Sequence, residues 1–407
     1  MPSDASKSLV GSSAAHFVND GALAFFPLLY PILASNYFLS TVSISVLASL
    51  LYLVSIVVSP MIGRKLDQTR RRGELLSLGV FLLSFGILGY SLTPSLFNGI
   101  ELLTILIPVT VVAGFGSALY HPIASTILRD TWGNRRHGRA MGINGAFGSF
   151  GRAVFPLITT FLLATAGVPS LLELGVASIL VSAFVLVVFG RISLDASVPA
   201  SSKSAGNPRF STLGILKIVR TLMIVSFSKG IVAQGLVAFI PYFLINVDHF
   251  SLAYSGLVFS LVLGAGIIFQ PLLGYLADRY GRVLILQVSN VGCVVFVALF
   301  LLTKDPALVG IFLFGFGALG LTGFPLLLGL SAFISPKETT TEANSLVWGV
   351  AYTGGIAASP IIIATLAEPS LLGSFQSSFF VAVAFGLVSV ALTPLVGRPK
   401  IVEVDQA

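Results

Sequence analysis

Twelve long apolar stretches, separated by short polar segments, constrain this chain more than any other feature. Each stretch is long enough for a spanning α-helix, which needs roughly 20 mostly apolar residues. Inside a bilayer every backbone polar group must find its partner within the protein, and helices achieve this within one segment. The pattern therefore predicts an all-α membrane protein with twelve transmembrane helices. The predicted spans are 9–35, 41–63, 73–92, 100–129, 138–165, 170–190, 218–247, 251–276, 282–302, 306–335, 340–366 and 371–396.

The composition excludes a soluble helical protein. Only 10% of the residues are charged and 55% are hydrophobic, whereas soluble domains carry about 25% charged residues. So much apolar surface cannot be hidden from water, so lipid must be the solvent. The first apolar run is not a cleavable signal peptide, because it is too long and contains Asn19 and Asp20.

The net charge of +7 would suit a nucleic-acid partner, but its distribution argues against one. An even number of spans places both termini on one side, and nearly all Lys and Arg residues fall on that side. Cytoplasmic loops of membrane proteins are enriched in Lys and Arg. We therefore expect a plasma-membrane protein with both termini in the cytoplasm. The opposite loops hold Lys304 against Glu101, Glu173, Asp248, Asp305 and Glu368.

A polar segment near the middle divides six spans from six. Residues 196–208 are rich in Ser, Ala and Pro, as linkers are. We predict an N-terminal bundle at 1–192, a cytoplasmic linker at 193–216 and a C-terminal bundle at 217–407.

The two halves also resemble each other locally. HFVNDGALAFFP (16–27) aligns with GIVAQGLVAFIP (230–241), and GAFGSFGRAVFP (145–156) aligns with GVAYTGGIAASP (349–360). Parallel repeats of this kind place a substrate site between the halves, near the bilayer midplane. The glycines at 142, 145, 148 and 151 recur every three residues, and we expect them to serve helix packing, with direct substrate contact as the alternative.

One loop signature occurs twice, at equivalent places in the halves: GRKLDQTRRR (63–72) and GYLADRYGR (274–282). A Gly-x-x-x-Asp loop followed by basic residues, repeated between hydrophobic spans, resembles the cytoplasmic loop of the major facilitator superfamily of transporters. The resemblance implies two six-helix bundles that alternate access to a central site. It also implies conformational or gating roles for Gly63, Asp67, Arg71, Gly274, Asp278, Arg279 and Arg282, with Arg129 bracing the loop.

Three charged residues lie deep in predicted spans, where charges are costly and therefore informative. Counted from the basic ends of their helices, Asp20 lies about 17 Å in, Arg152 about 21 Å and Lys229 about 18 Å. At that depth they face an aqueous cavity, pair with one another, or both. Two cations against one acid favour an anionic substrate, and the planar fork of Arg152 suits a carboxylate or phosphonate.

His16 and Asp20 are four residues apart and share a helix face, so they form a candidate proton-coupling pair. The alternatives for Asp20 are a fixed salt bridge to Arg152 or Lys229 and a direct substrate contact. His121 is a third candidate for proton coupling, or a packing residue. Further candidates for substrate binding, each of which could instead bond a neighbouring helix, are Asn19, Tyr120, Gln234, Tyr242 and Gln270.

Three segments, at 16–33, 114–130 and 136–156, resemble fosmidomycin resistance proteins, a drug-efflux branch of the superfamily. That resemblance implies export of drugs in exchange for protons. Fosmidomycin is a phosphonate, which would suit Arg152 and Lys229. A proton-linked carrier of small organic anions is the competing interpretation, and import and export both remain open.

Other chemistries have no motif in this chain. It lacks the G-x-x-x-x-G-K-[ST] loop of ATP-driven proteins, a Cys/His cluster with metal spacing and a G-x-S-x-G nucleophile turn. We therefore expect no enzyme, no cofactor and no metal. The prediction is a monomeric, proton-coupled secondary transporter of a small anionic solute, whose partners are substrate, protons and lipid. A non-transporting membrane sensor on the same fold is the alternative from another class.

Overall fold

The computed structural model describes residues 4–66, 69, 71–190, 212–336 and 339–397 of the chain. In its N-terminal half, Gly99–Ala166 is helical apart from Gly133, whose φ of +68° turns the chain and separates two spans. The helices of this half are α1 (Asp4–Tyr37), α2 (Thr41–Leu66), α3 (Arg72–Leu92), α4 (Gly99–Gly133), α5 (Arg139–Ala166) and α6 (Leu171–Phe189).

The C-terminal half repeats this arrangement with more interruptions. A π-helical turn, Phe243–Val247, extends the first of its helices, and another, Ser345–Tyr352, lies within the fifth. The helices are α7 (Thr212–Tyr242), α8 (Leu252–Gly264 and Gly266–Tyr280), α9 (Arg282–Leu301), α10 (Pro306–Gly320 and Phe324–Ile334), α11 (Thr340–Asn344, then Ser345–Tyr352 and Thr353–Leu366) and α12 (Phe375–Leu392).

The predicted all-α fold with twelve helices is confirmed. Eleven helices among the described residues are long and apolar enough to cross a membrane. The remaining predicted span, 306–335, is α10, which breaks after Gly320 and resumes at Phe324. Pro325 follows the break, and proline cannot donate the backbone hydrogen bond that would continue the first segment. The predicted linker lies mostly outside the described residues.

Glycines bring α5 close to α1. A Cβ on Gly151 would lie 2.1 Å from the carbonyl oxygen of Phe17, and one on Gly148 would lie 2.4 Å from Nε2 of His16. Gly142 and Gly145 have no neighbouring atom within 4 Å of that position. The packing role expected for this glycine run therefore applies to its second half, because only that half faces α1.

The two bundles meet on the side away from the chain's N-terminus. We call the side that holds the N-terminus and the basic loops the basic side, and the other the opposite side. Asn246, in the turn that extends α7, and Ser35 of α1 both lie on the opposite side. Nδ2 of Asn246 donates to Oγ of Ser35 at 2.6 Å. Between α8 and α5, Ser260 donates to the carbonyl of Ala153. The space between the bundles is therefore closed on the opposite side.

Toward the basic side the same helices have open space around them. The Cβ position of Gly274, near the basic end of α8, has no neighbouring atom within 4 Å. Near the middle of α5, about 20 Å from its basic end, the side chain of Arg152 keeps 30% of its surface exposed. Arg152 is therefore a partly exposed charge at the middle of the protein.

Candidate functional site

Asp20 of α1 is the centre of a polar cluster at the middle of the N-terminal bundle. Its side chain is 12% exposed, and one hydrogen-bond donor and two cationic or titratable groups lie around its carboxylate. Nε2 of His16 lies 3.3 Å from Oδ1, and Nδ2 of Asn19 donates to the same oxygen at 3.1 Å. Nε of Arg152 lies 3.5 Å from Oδ2. An ionised carboxylate only accepts hydrogen bonds, so this surrounding suits the charged form of Asp20.

The position of the ring nitrogens of His16 fixes a proton at this site. Nδ1 lies 2.8 Å from the backbone oxygen of Asn144, and a carbonyl can only accept, so Nδ1 carries a hydrogen. Nε2 then faces the carboxylate of Asp20 at 3.3 Å. Without a hydrogen on Nε2, two acceptors would face each other. The contact is therefore satisfied when His16 is an imidazolium, or when Asp20 itself holds the proton.

Tyr120 and His121 of α4 connect the pair to its surroundings. The ring of Tyr120 stacks on His16 with centroids 4.6 Å apart, and its hydroxyl bonds the side chain of Asn144. The ring of His121 meets His16 edge-on at 5.7 Å. His121 is exposed whereas His16 and Tyr120 are buried. His121 is therefore the exposed ring beside the buried pair.

With a proton on the His16–Asp20 pair, Arg152 gives the cluster a net positive charge. Its Nη2 donates to Oγ of Ser149 at 3.1 Å, and Nε approaches Asp20, yet the side chain remains partly exposed. An imidazolium at His16 and a guanidinium at Arg152 against one carboxylate leave one uncompensated positive charge. A charge in this poorly hydrated setting attracts an anion more strongly than it would in water.

Three other residues predicted to bind substrate lie at separate places in the structure. Gln234 of α7 donates to the hydroxyl of Tyr52 in α2 at 2.9 Å, which joins the bundles at mid-depth. Tyr242 packs against Phe375 in an aromatic group of the C-terminal bundle, with ring centroids 4.8 Å apart. Gln270 is half-buried in α8. Of these three, Gln234 forms a hydrogen bond that joins the two bundles.

Lys229 lies apart from Asp20 and Arg152. It is 2% exposed, and its Nζ donates to Ser289 and Asn290 of α9 inside the C-terminal bundle. The partner of Asp20, which the sequence left open, is therefore Arg152. The predicted substrate contact of Lys229 gains no support from this conformation, because its side chain points into the bundle.

The sequence model of the family described as the Major Facilitator Superfamily matches residues 13–360 of this chain. The chain belongs to the Major Facilitator Superfamily. It is therefore a multi-pass membrane protein and a secondary transporter of small molecules. The family and fold expected from the duplicated loop are confirmed.

Similar proteins within the superfamily include two bacterial relatives and a solved structure. YfnC of Bacillus subtilis (strain 168), an uncharacterized MFS-type transporter, is 25% identical over 370 residues, 88% of this chain and 87% of that protein. The fosmidomycin resistance protein of Escherichia coli (strain K12) is 24% identical over 289 residues, 69% of this chain and 67% of that protein. A bacterial homologue of the human lysosomal transporter Spinster, crystallised in an inward-facing and occupied conformation, has a TM-score of 0.75 at 14% identity, over 96% of both chains.

The first copy of the superfamily loop is anchored within the N-terminal bundle. Arg72, its last residue, forms an ion pair with Asp130 at the end of α4, and Arg129 lies 3.5 Å from the same carboxylate. Arg71 pairs with Glu74 at the surface. Gly63 lies in the last turn of α2, which ends at Leu66. Asp67 lies outside the described residues.

The second copy is more open. Asp278 is 74% exposed and lies 3.7 Å from Arg282, which also donates to the backbone oxygen of Gly329 in α10. Arg279 lies over the ring of Tyr280. In this structure Asp278 is therefore largely exposed and has one long ion pair.

We expect Asp278→Asn to slow transport more than it weakens substrate binding. The carboxylate lies beside the N-terminus of α9, where a negative charge is favourable, and it is far from the cluster around Asp20. Turnover and affinity are measured in the same proteoliposomes. Asp305→Asn, at the N-terminus of α10 on the opposite side, is the matched control. A large loss of affinity with unchanged turnover would contradict this role.

Three residues of the central region are not among the site residues predicted from the sequence. Asn144 and Ser149 lie in the glycine run of α5. Their polar side chains among small residues could have identified them in the sequence. Tyr52 stands in an otherwise apolar span, and only its polar tip distinguishes it. The described residues contain no group of three or more His, Cys, Asp or Glu arranged for a metal ion.

Proposed function

We propose that this transporter couples the movement of a small organic anion to protons, with Asp20, His16 and Arg152 as the coupling site. The observation that carries the proposal is the convergence of His16, Asn19 and Arg152 on the one carboxylate of Asp20. A proton on this pair leaves one positive charge unpaired at mid-depth. An anion entering from the basic side meets that charge at the exposed part of Arg152.

Loss of the proton changes what the site can bind. With neutral His16, only Arg152 and Asp20 remain charged, and their charges cancel. Affinity for an anion then falls, and by linkage a bound anion makes the proton harder to remove. Proton and anion therefore stabilise each other at this site, which favours their movement in the same direction. His121, exposed beside His16, provides the route for the proton to water.

A transport assay in proteoliposomes tests this proposal. The panel contains fosmidomycin as a phosphonate, several small carboxylates and a neutral sugar of similar size. An acidic exterior should drive accumulation of at least one anion and should leave the sugar unaffected. Accumulation of the sugar alone, or no response of any anion to the pH gradient, would contradict the proposal.

Export of phosphonate-like drugs is the second candidate, favoured by the likeness to the fosmidomycin resistance protein. In that case protons enter as the drug leaves, so proton and drug compete for the site. The same vesicles separate the two mechanisms. For antiport, an acidic interior drives accumulation, whereas for co-transport it opposes accumulation.

We propose that both chain ends and the basic side face the cytoplasm. Two variants, Lys203→Cys and Lys304→Cys, are made separately in a Cys293→Ala background, which removes the single native cysteine. A reagent that cannot cross the membrane should label position 304 in intact cells and position 203 only after lysis. Labelling of position 203 in intact cells would reverse the orientation.

A further inference from the structure

Lys229 forms a second buried polar centre, in the C-terminal bundle. Its Nζ donates to Oδ1 of Asn290 at 2.9 Å and to Oγ of Ser289 at 3.1 Å. Both partners are neutral, and Lys229 is 2% exposed. A buried ammonium without an acidic partner is costly inside a membrane protein. Lys229 therefore differs from Arg152, whose charge is matched by Asp20.

The hydrogen bonds of the two partners fix which of their atoms face Lys229. The hydroxyl of Ser289 donates to the backbone oxygen of Leu319 at 2.6 Å, so its oxygen accepts from Nζ. The amide nitrogen of Asn290 donates to Oγ1 of Thr393 at 2.9 Å, so its Oδ1 also accepts from Nζ. An uncharged amine has two hydrogens to donate, and these two acceptors satisfy both.

Helices α7, α9, α10 and α12 contain no carboxylate, and Glu342 of α11 lies exposed at the start of that helix. Helices α10 and α12 contain no titratable side chain over 306–334 and 375–392, and α9 contributes Cys293 beside the same small cavity. On α11, Tyr352 is a buried titratable side chain. The acids of this half that the structure describes lie at helix ends and in loops: Asp248, Asp278, Asp305, Glu342 and Glu368.

A third hydrogen on Nζ would need a further acceptor. The cavity beside Lys229, lined by Val232, Cys293 and Gly386 among others, has a volume of about 10 Å³. That is at the lower limit for one water molecule and leaves no room for an organic anion. In this conformation the protein alone satisfies the uncharged amine, but not the ammonium.

The break in α10 lies directly against Lys229. A Cβ on Gly323 would come within 2.3 Å of Cε and 3.0 Å of Nζ. The first segment of α10 ends at Gly320, and the C-terminal end of a helix carries partial negative charge on its free carbonyls. A bend of α10 at this break would change how closely those carbonyls approach Nζ, and so would change the stability of an ammonium there.

We propose that Lys229 is a proton-binding site of the C-terminal bundle, separate from the Asp20–His16 pair. Its amine is uncharged while α10 is closed around it as in this structure, and it takes up a proton when α10 bends. The site has no path to the substrate in this conformation. The proposal therefore does not depend on which solute the transporter carries, nor on the role of Asp20.

The protonation state is measured directly by nitrogen NMR of the full chain in lipid. Lysine labelled with ¹⁵N at Nζ gives eight signals, one for each lysine of the sequence, and an amine and an ammonium have distinct shifts. At neutral pH we expect one signal at the amine position and seven at the ammonium position. The amine signal should move to the ammonium position as the pH is lowered.

Three variants assign that signal. Lys229→Met should remove it, whereas Lys217→Met, at an exposed position on the same helix α7, should leave it unchanged. If Lys229→Met fails to fold, Lys229→Arg makes the same assignment, because it keeps hydrogen-bond donors at that position. Eight ammonium signals between pH 7 and 9, or an amine signal that persists without Lys229, would overturn the proposal. Asp20→Asn should leave the signal unchanged, so the test is independent of the proposed coupling site.

Discussion

Asp20→Asn is expected to abolish the accumulation of an anion driven by a pH gradient. The substitution keeps the shape of the side chain but removes both its charge and its ability to hold a proton. His16 then loses the negative charge that lies 3.3 Å from its Nε2, and we expect the site no longer to exchange a proton between conformations. Only a difference in proton binding between states allows a proton gradient to drive the cycle.

Two assays on the same vesicles separate coupling from folding. Exchange of labelled anion at equal concentrations on both sides should survive in Asp20→Asn, whereas uphill accumulation should fall to the level of empty vesicles. Asp4→Asn is the matched control, because Asp4 lies on the same helix and forms an exposed ion pair with Lys7, which contributes little to stability. If Asp20→Asn still concentrates the anion, coupling belongs elsewhere, and His16 and His121 are tested next.

The fold could be predicted from the sequence because few kinds of structure can satisfy their backbone hydrogen bonds inside a bilayer. Twelve apolar stretches and a loop repeated in both halves leave little besides two six-helix bundles. Hydropathy does not predict the interruption of α10, because the span 306–335 remains apolar throughout. The feature of the sequence that accompanies the break is Pro325, at the start of the second segment.

The sequence predicts how far along its helix each charged residue of the site lies, but not which face of the helix it occupies. Counting residues along a helix places Asp20, Arg152 and Lys229 at similar depths, but it does not say which face each occupies. Lys229 points toward α9 and the break of α10, whereas Arg152 points toward Asp20. The face depends on packing between helices that are distant in sequence. For the same reason the role of Asn144, whose backbone oxygen fixes the ring of His16, could not be predicted.

Arg152→Gln is expected to weaken binding of the transported anion by about 30-fold or more, since truncating one partner of a buried charge pair costs roughly 2–5 kcal/mol. The guanidinium is the partly exposed cation of the cluster, at 30%, and it is the proposed contact of the anion. Arg152→Lys should give an intermediate loss, because it restores the charge without the planar fork. Equilibrium binding of the anion identified by the transport panel measures the effect.

The same substitution also removes a partner of Asp20, so a control must separate the two effects. Arg139→Gln, at an exposed position near the basic end of α5, controls for the loss of a positive charge on that helix. If Arg152 binds the substrate, affinity for the anion falls in Arg152→Gln while helical content and thermal stability stay close to the parent protein. Unchanged affinity together with a loss of stability would instead assign Arg152 to structural pairing with Asp20. In that outcome the positive charge that attracts the anion would have to reside on His16, and His16→Gln would then carry the loss of affinity.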